Sequence, residues 1–298
     1  MLHVLVNEII KYVNIATLFN IKYNCKYLKE LINPFLFMTS TDCNELYNKI
    51  LQNNKYEIIL EYEKYINFFS YYVAHICVKN NLEEIIEKHL DVLKEHRNMF
   101  DLIASYGKNE MLIKFHNKYP EIKGTYWAFD GASENNHTDT LMLLKKEFPE
   151  IKGTSTAFNE ASANGHNNTL MLFKKEFSEI KGTLSAFDWA SQNGHNETLL
   201  LLKKEFPEIK GTSDAFDWAS SNGHNDTLML LKKEFPEIKG TKQAFNGASA
   251  NGHNETLMLL KKEFPEIKGT SDAFRWASLH RHNDTIILLK REFRLKTS

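Results

Sequence analysis

From residue 125 to residue 298 the apolar and polar positions recur with a fixed period. Phe129, Phe158, Phe187, Phe216, Phe245 and Phe274 lie 29 residues apart. Thr212 to Gly240 is a representative unit. Phe216, Ala219, Ser220 and Gly223 follow helical spacing and form a small apolar face. Asn222-Gly223 then predicts a break, because both residues tolerate a left-handed backbone. A second helix is expected to open near Asn225-Asp226-Thr227, where acids and Asx residues accept bonds from unpaired amides. Leu228, Leu230, Leu231 and Phe235 supply its apolar stripe, and Pro236 is expected to end or bend it.

A helix pair this short cannot bury its apolar faces alone, whereas stacked neighbours can. The fold class expected is therefore all-α, a solenoid of stacked helix-turn-helix repeats. Units begin near residues 125, 154, 183, 212, 241 and 270. An eroded unit begins near residue 100, where Phe100, Leu112, Pro120 and Gly124 precede Phe129, Leu141, Pro149 and Gly153 by 29 residues. NNLEEII (Asn80 to Ile86) and NNKYEII (Asn53 to Ile59) echo the pattern, so residues 41–99 are read as degenerate helical repeats. Residues 1–40 form a separate helical cap or docking segment. The last unit replaces Asn-Gly-His with His280-Arg281-His282 and ends in a basic tail, which reads as a C-terminal cap with a polar outer face.

Composition narrows the function. The chain has 298 residues, 37 Lys+Arg against 38 Asp+Glu, and a net charge of −1. This balance argues against a dedicated nucleic-acid binder, which carries a basic footprint. No apolar run approaches the roughly 18 residues that span a bilayer. No secretory signal is visible, and the three cysteines form no C-x-x-C pair. A reducing intracellular, cytoplasmic setting follows as the expectation, with no membrane and no nucleic acid as partner.

The run Ala219-Ser220-Ser221-Asn222-Gly223-His224-Asn225-Asp226-Thr227-Leu228-Met229-Leu230-Leu231 resembles the ankyrin repeat, which reads A-A-x-x-G-H-L-E-V-V-x-L-L in the same register. Phe216 falls at the Leu of the family's T-P-L-H. An ankyrin unit has 33 residues and this one has 29. The missing residues fall where ankyrins project a β-hairpin, so little or no hairpin is expected. The resemblance implies a protein-binding scaffold that is not an enzyme and carries no cofactor.

The N-terminal segment is similar to an F-box, which reads L-P-x-E-I-I, then L, then V-C-K-x-W-x-x-L-I. Leu5, Glu8, Ile9 and Ile10, then Leu18, then Cys25, Leu28 and Leu31 carry the likeness. Val6 stands at the Pro, Leu28 stands at the Trp, and the spacing is shorter by about one helical turn. This second resemblance implies docking to a Skp-type adaptor of a cullin–RING ubiquitin ligase, with the array holding a target. Chains of this kind resemble ankyrin-rich proteins of large DNA viruses, which by analogy would place it in a host cytoplasm. A structural spacer without a specific partner is the remaining reading.

The repeated chemistry has plain structural readings. His137, His166, His195, His224, His253 and His282 recur once per unit, too far apart on stacked helices to share an ion. The Asn-x-Thr sequons at Asn167, Asn196, Asn225, Asn254 and Asn283 read as helix caps. The Lys-Lys-Glu columns balance their own charge and read as a solvated outer face. No H-E-x-x-H, Walker A, G-x-G-x-x-G or G-x-S-x-G motif occurs. The few positions that vary between units are the candidate partner-binding set. They comprise Trp127, then Asp130, Asn159 and Glu160, and the pairs Asp188-Trp189 and Asp217-Trp218. Asn246, Arg275 and Trp276 continue them, and Glu134, Gln192, Ser221 and Leu279 follow Ala-Ser. A column that accepts Trp, Gly and Glu does not fill a fixed core slot. These positions are therefore expected on the face away from Phe and Ala, with exposed tryptophans as anchors.

Overall fold

A computed structural model describes His75, residues 77–81, Ile86 and residues 99–293. The F-box-like residues Leu5 to Leu31, and most of the degenerate repeats, lie outside the described residues. The chain divides into two compact units, Met1–Leu102 with Glu110–Ile122, and Ile103–Asn109 with Lys123–Ser298. In the first unit Phe100, Met111, Leu112 and Phe115 are buried, and Phe115 meets Tyr119 at 5.4 Å between ring centroids.

All secondary structure among the described residues is helical. The order is α1 (Met99–Ser105), α2 (Asn109–Lys118), α3 (Tyr126–Glu134), α4 (Thr138–Glu147), α5 (Ser155–Ala163), α6 (Asn167–Glu176) and α7 (Leu184–Gln192). There follow α8 (Asn196–Glu205), α9 (Ser213–Ser221), α10 (Asn225–Glu234), α11 (Lys242–Ala250), α12 (Asn254–Glu263), α13 (Ser271–Leu279) and α14 (Asn283–Glu292). In the second unit each odd-numbered helix packs on the odd-numbered helix of the next repeat and on its own even-numbered partner. This is a helical solenoid, with turns and no strand between its described repeats.

Local chemistry sets the helix ends. Thr212 sits extended before α9, and its hydroxyl accepts the Asp214 amide at 3.1 Å. The same N-cap recurs at Thr154, Thr183, Thr241 and Thr270. At the far end Gly223 adopts φ +75 and His224 donates its amide back to the Ala219 carbonyl at 2.9 Å. Two expectations for the second helix need correction. Its N-cap is His224, with no side-chain cap bond. Nor does proline end it, because Ser178 replaces Pro in one repeat and Phe177 keeps the geometry of Phe235 (φ −137, ψ 51 against φ −136, ψ 57). The helix ends because the phenylalanine turns into the core, and its carbonyl accepts the Ile238 amide at 2.9 Å. Leu230 is only half-buried, whereas Leu228, Leu231 and Phe235 are core.

The sequons also have a different role from capping. Asn225 accepts the hydroxyl of Thr256 in the next repeat at 2.8 Å, and Asn196 accepts that of Thr227 at 2.8 Å. Each Asn-x-Thr is one rung of a ladder between repeats. The first lysine of each Lys-Lys pair makes another. Lys232 reaches Glu263 at 2.9 Å and lies 5.2 Å from the Phe264 ring centroid.

Gly223 is needed twice over. Its φ is left-handed, and a Cβ there would approach His253 Nδ1 to 2.7 Å. Gly223→Ala should lower stability by at least roughly 1–2 kcal/mol, the left-handed term alone. Gly223→Asn should lose less, since Asn136 holds the same place at φ +60. Equilibrium urea unfolding of the two variants tests the order.

Candidate functional site

The first helices present their opening turn and two further columns to the surface. The register between the columns is set by close approach. A Cβ on Gly131 would lie 2.7 Å from Ser105 Cβ, and one on Gly247 would overlap the Ser221 hydroxyl. The second residue after each Phe therefore abuts the residue after Ala-Ser of the preceding repeat, 26 positions earlier. The same register sets Glu160 against Glu134, Trp189 against Ala163, Trp218 against Gln192 and Trp276 against Ala250. Two of the tryptophans thereby face alanine and both glycines face serine, while Trp218 faces Gln192.

Trp127, Trp218 and Trp276 are 54%, 37% and 38% exposed, and Trp189 is half-buried. Leu279, Glu134 and Arg275 are exposed, while Glu160, Gln192 and Ser221 are half-buried. The Tyr126 and Trp127 rings lie 5.2 Å apart, and the Arg275 guanidinium sits 5.4 Å from the Trp276 ring centroid. Ser221 donates to the Asp217 carbonyl at 2.9 Å, so it is partly committed to its own helix. Burial, and then the nearby Glu134, hold the Glu160 carboxyl above its ordinary value.

The Asp/Asn column does not belong to this face. Asp130, Asn159, Asp188, Asp217 and Asn246 are 3–6% exposed. Their side chains bind the N-cap threonine of the following repeat. Asp217 accepts the Thr241 amide at 2.7 Å and the Thr241 hydroxyl at 2.6 Å. Asn246 accepts the Thr270 amide at 3.0 Å and donates to the Thr270 hydroxyl at 2.9 Å. These five positions are corrected from partner-binding to inter-repeat clamps. Their variation is confined to the Asp/Asn pair because either side chain accepts the amide and shares a proton with the hydroxyl. Burial outweighs these bonds and raises the carboxyl pKa at Asp130, Asp188 and Asp217.

The histidine column lines the turn between the two helices of each repeat. His195, His224, His253 and His282 pack under Gly165, Gly194, Gly223 and Gly252 of the preceding repeat. Burial, and then neighbouring histidines, lower the pKa of His195 and His253. Among the described residues, no group of three or more His, Cys, Asp or Glu is placed to hold a metal ion. No helix among them is long and apolar enough to cross a membrane.

A second exposed row escaped the sequence reading. Met142, Met171, Leu200, Met229, Met258 and Ile287 project from the second helices with 39–58% exposure. The signal was present, because Leu141-Met142-Leu143-Leu144 is a four-residue apolar run that no single helix face can bury.

A scan of protein-family models finds no match to this chain. A search of curated proteins finds none either.

Proposed function

We propose that the chain is an ankyrin-like interaction scaffold that grips a protein partner on the first-helix face of its array. One observation carries this reading. Among the positions that differ between repeats, once the Asp/Asn clamps are set aside, Trp127, Glu134, Trp218, Arg275, Trp276 and Leu279 are exposed. The recurring positions around them are spent on holding repeats together. An aromatic side chain brings a large apolar area and a fixed geometry, which is what interface anchors supply. Trp218, Trp276 and Leu279 form an anchor set of that kind, and Arg275 lies beside Trp276.

The test is the triple variant Trp189→Ala/Trp218→Ala/Trp276→Ala. Helicity by circular dichroism should be retained, because two of the three side chains are more than a third exposed. Partners retained by the wild-type chain from a eukaryotic lysate should be lost on the variant, at about 2 kcal/mol or more per anchor. A partner set identical on both proteins overturns the reading and favours a spacer.

A further inference from the structure

The outer ridge of the second helices is self-complementary. At positions i, i+3 and i+7 the helices α4, α8, α10, α12 and α14 carry an acid, an apolar residue and a base, and α6 carries Asn168, Met171 and Lys175. In α10 these are Asp226, Met229 and Lys233. In α8 they are Glu197, Leu200 and Lys204, and in α12 they are Glu255, Met258 and Lys262. The helix wheel puts all three within a sector of about 60°. All nine side chains are exposed. Lys204, Lys233 and Lys262 retain 80% side-chain exposure, although each also touches a glutamate of its own helix. Stacking turns the ridges into three parallel rows along the array, acid, apolar and basic.

At 1.5 Å per residue the acid row lies about 4.5 Å and the basic row about 6 Å from the apolar row. The apolar row therefore runs close to the midline between opposite charges. A two-fold axis along that midline reverses the helix direction and leaves the order of repeats unchanged. It lays acid on base along both margins and methionine on methionine in the centre. A two-fold axis parallel to the helices would instead lay acid on acid and base on base.

We infer that this ridge docks a second copy of the chain, with the two arrays parallel and in register. Equal repeats meet, so Met229 faces Met229 and Met171 faces Met171 of the other copy. Methionine suits the seam, because its unbranched side chain adapts to a neighbour of its own kind. The balanced charge rows disfavour an anionic lipid surface, which would attract the lysines and repel the acids.

The experiment uses the full chain. Light scattering with size-exclusion chromatography should give a dimer mass in the micromolar range. Reversing the basic row (Lys204→Glu/Lys233→Glu/Lys262→Glu) should weaken self-association on the order of tenfold or more. Reversing the acid row (Glu197→Lys/Asp226→Lys/Glu255→Lys) should do the same. Mixing the two reversed chains should restore a heterodimer. A short bis-maleimide should couple two Met171→Cys chains to each other above the level of the parent chain. A monomer throughout the micromolar range overturns the inference. So does a dimer indifferent to both reversals, or one in which Met171→Cys fails to couple. Binding to phosphatidylcholine vesicles that is lost in Met229→Glu would make lipid the occupant and overturn it as well.

Discussion

Phe216→Ala should remove about 3–5 kcal/mol of stability, the range for deleting a buried phenylalanine. The ring is 1% exposed and meets Phe264 edge-on at 4.9 Å between centroids. It also lies on the backbone of Gly240, where any Cβ would overlap it and approach Ile267. Phe216 thus belongs to its own repeat and to the junction with the next. Repeat arrays derive their stability from intrinsic terms plus nearest-neighbour junctions. Losing a central junction should therefore uncouple the repeats on either side. Urea unfolding followed by circular dichroism should show a lower midpoint and a broadened or split transition. Phe274, at the same place in the last repeat, is only half-buried. Phe274→Ala should cost less and leave a single transition. Equal losses at the two positions would contradict a junction role for the ring.

That junction also marks how far the sequence alone could be read. The period, the paired helices, the Gly turn and the buried Phe and Leu columns follow from spacing within one repeat. The rungs between repeats do not, because each joins residues that no single helix wheel contains. Asp217 and Thr241 are 24 residues apart, and Thr256 and Asn225 are 31 apart. Read within its own helix, Asp217 is a polar residue in a variable column and belongs outside. Read against the next repeat, the column is regular. Asp130, Asn159, Asp188, Asp217 and Asn246 each precede a threonine by 24 residues. Arg275 breaks the column, and its side chain is exposed. The pairing of Trp189, Trp218 and Trp276 with Ala163, Gln192 and Ala250, 26 positions earlier, was hidden for the same reason. Its two members lie on different helices.

The clamp supplies a second large effect with a built-in control. Asp217→Ala should cost about 1–3 kcal/mol, because it strips the Thr241 amide and hydroxyl of their acceptor at the start of α11. Asp217→Asn should stay within about 1 kcal/mol of wild type near neutral pH, since Asn159 and Asn246 already make the clamp elsewhere in the array. The two proteins should then diverge with pH. Burial holds the Asp130, Asp188 and Asp217 carboxyls above their ordinary values. A raised pKa means that the folded chain takes up these protons at higher pH than the unfolded chain does. Stability contributed by these groups therefore rises as pH falls through the raised values. It levels off below the ordinary carboxylate range. Glu176, Glu205, Glu234 and Glu263 act in the opposite direction, because their lysine partners lower their pKa and their contribution fades on acidification. Those glutamates are present in both proteins, so they cancel in the difference between wild type and Asp130→Asn/Asp188→Asn/Asp217→Asn. Unfolding free energies measured from neutral to mildly acidic pH should show wild type gaining on the triple variant. A difference that is flat, or that moves toward the variant on acidification, would mean that the buried aspartates keep an ordinary or lowered pKa in the fold.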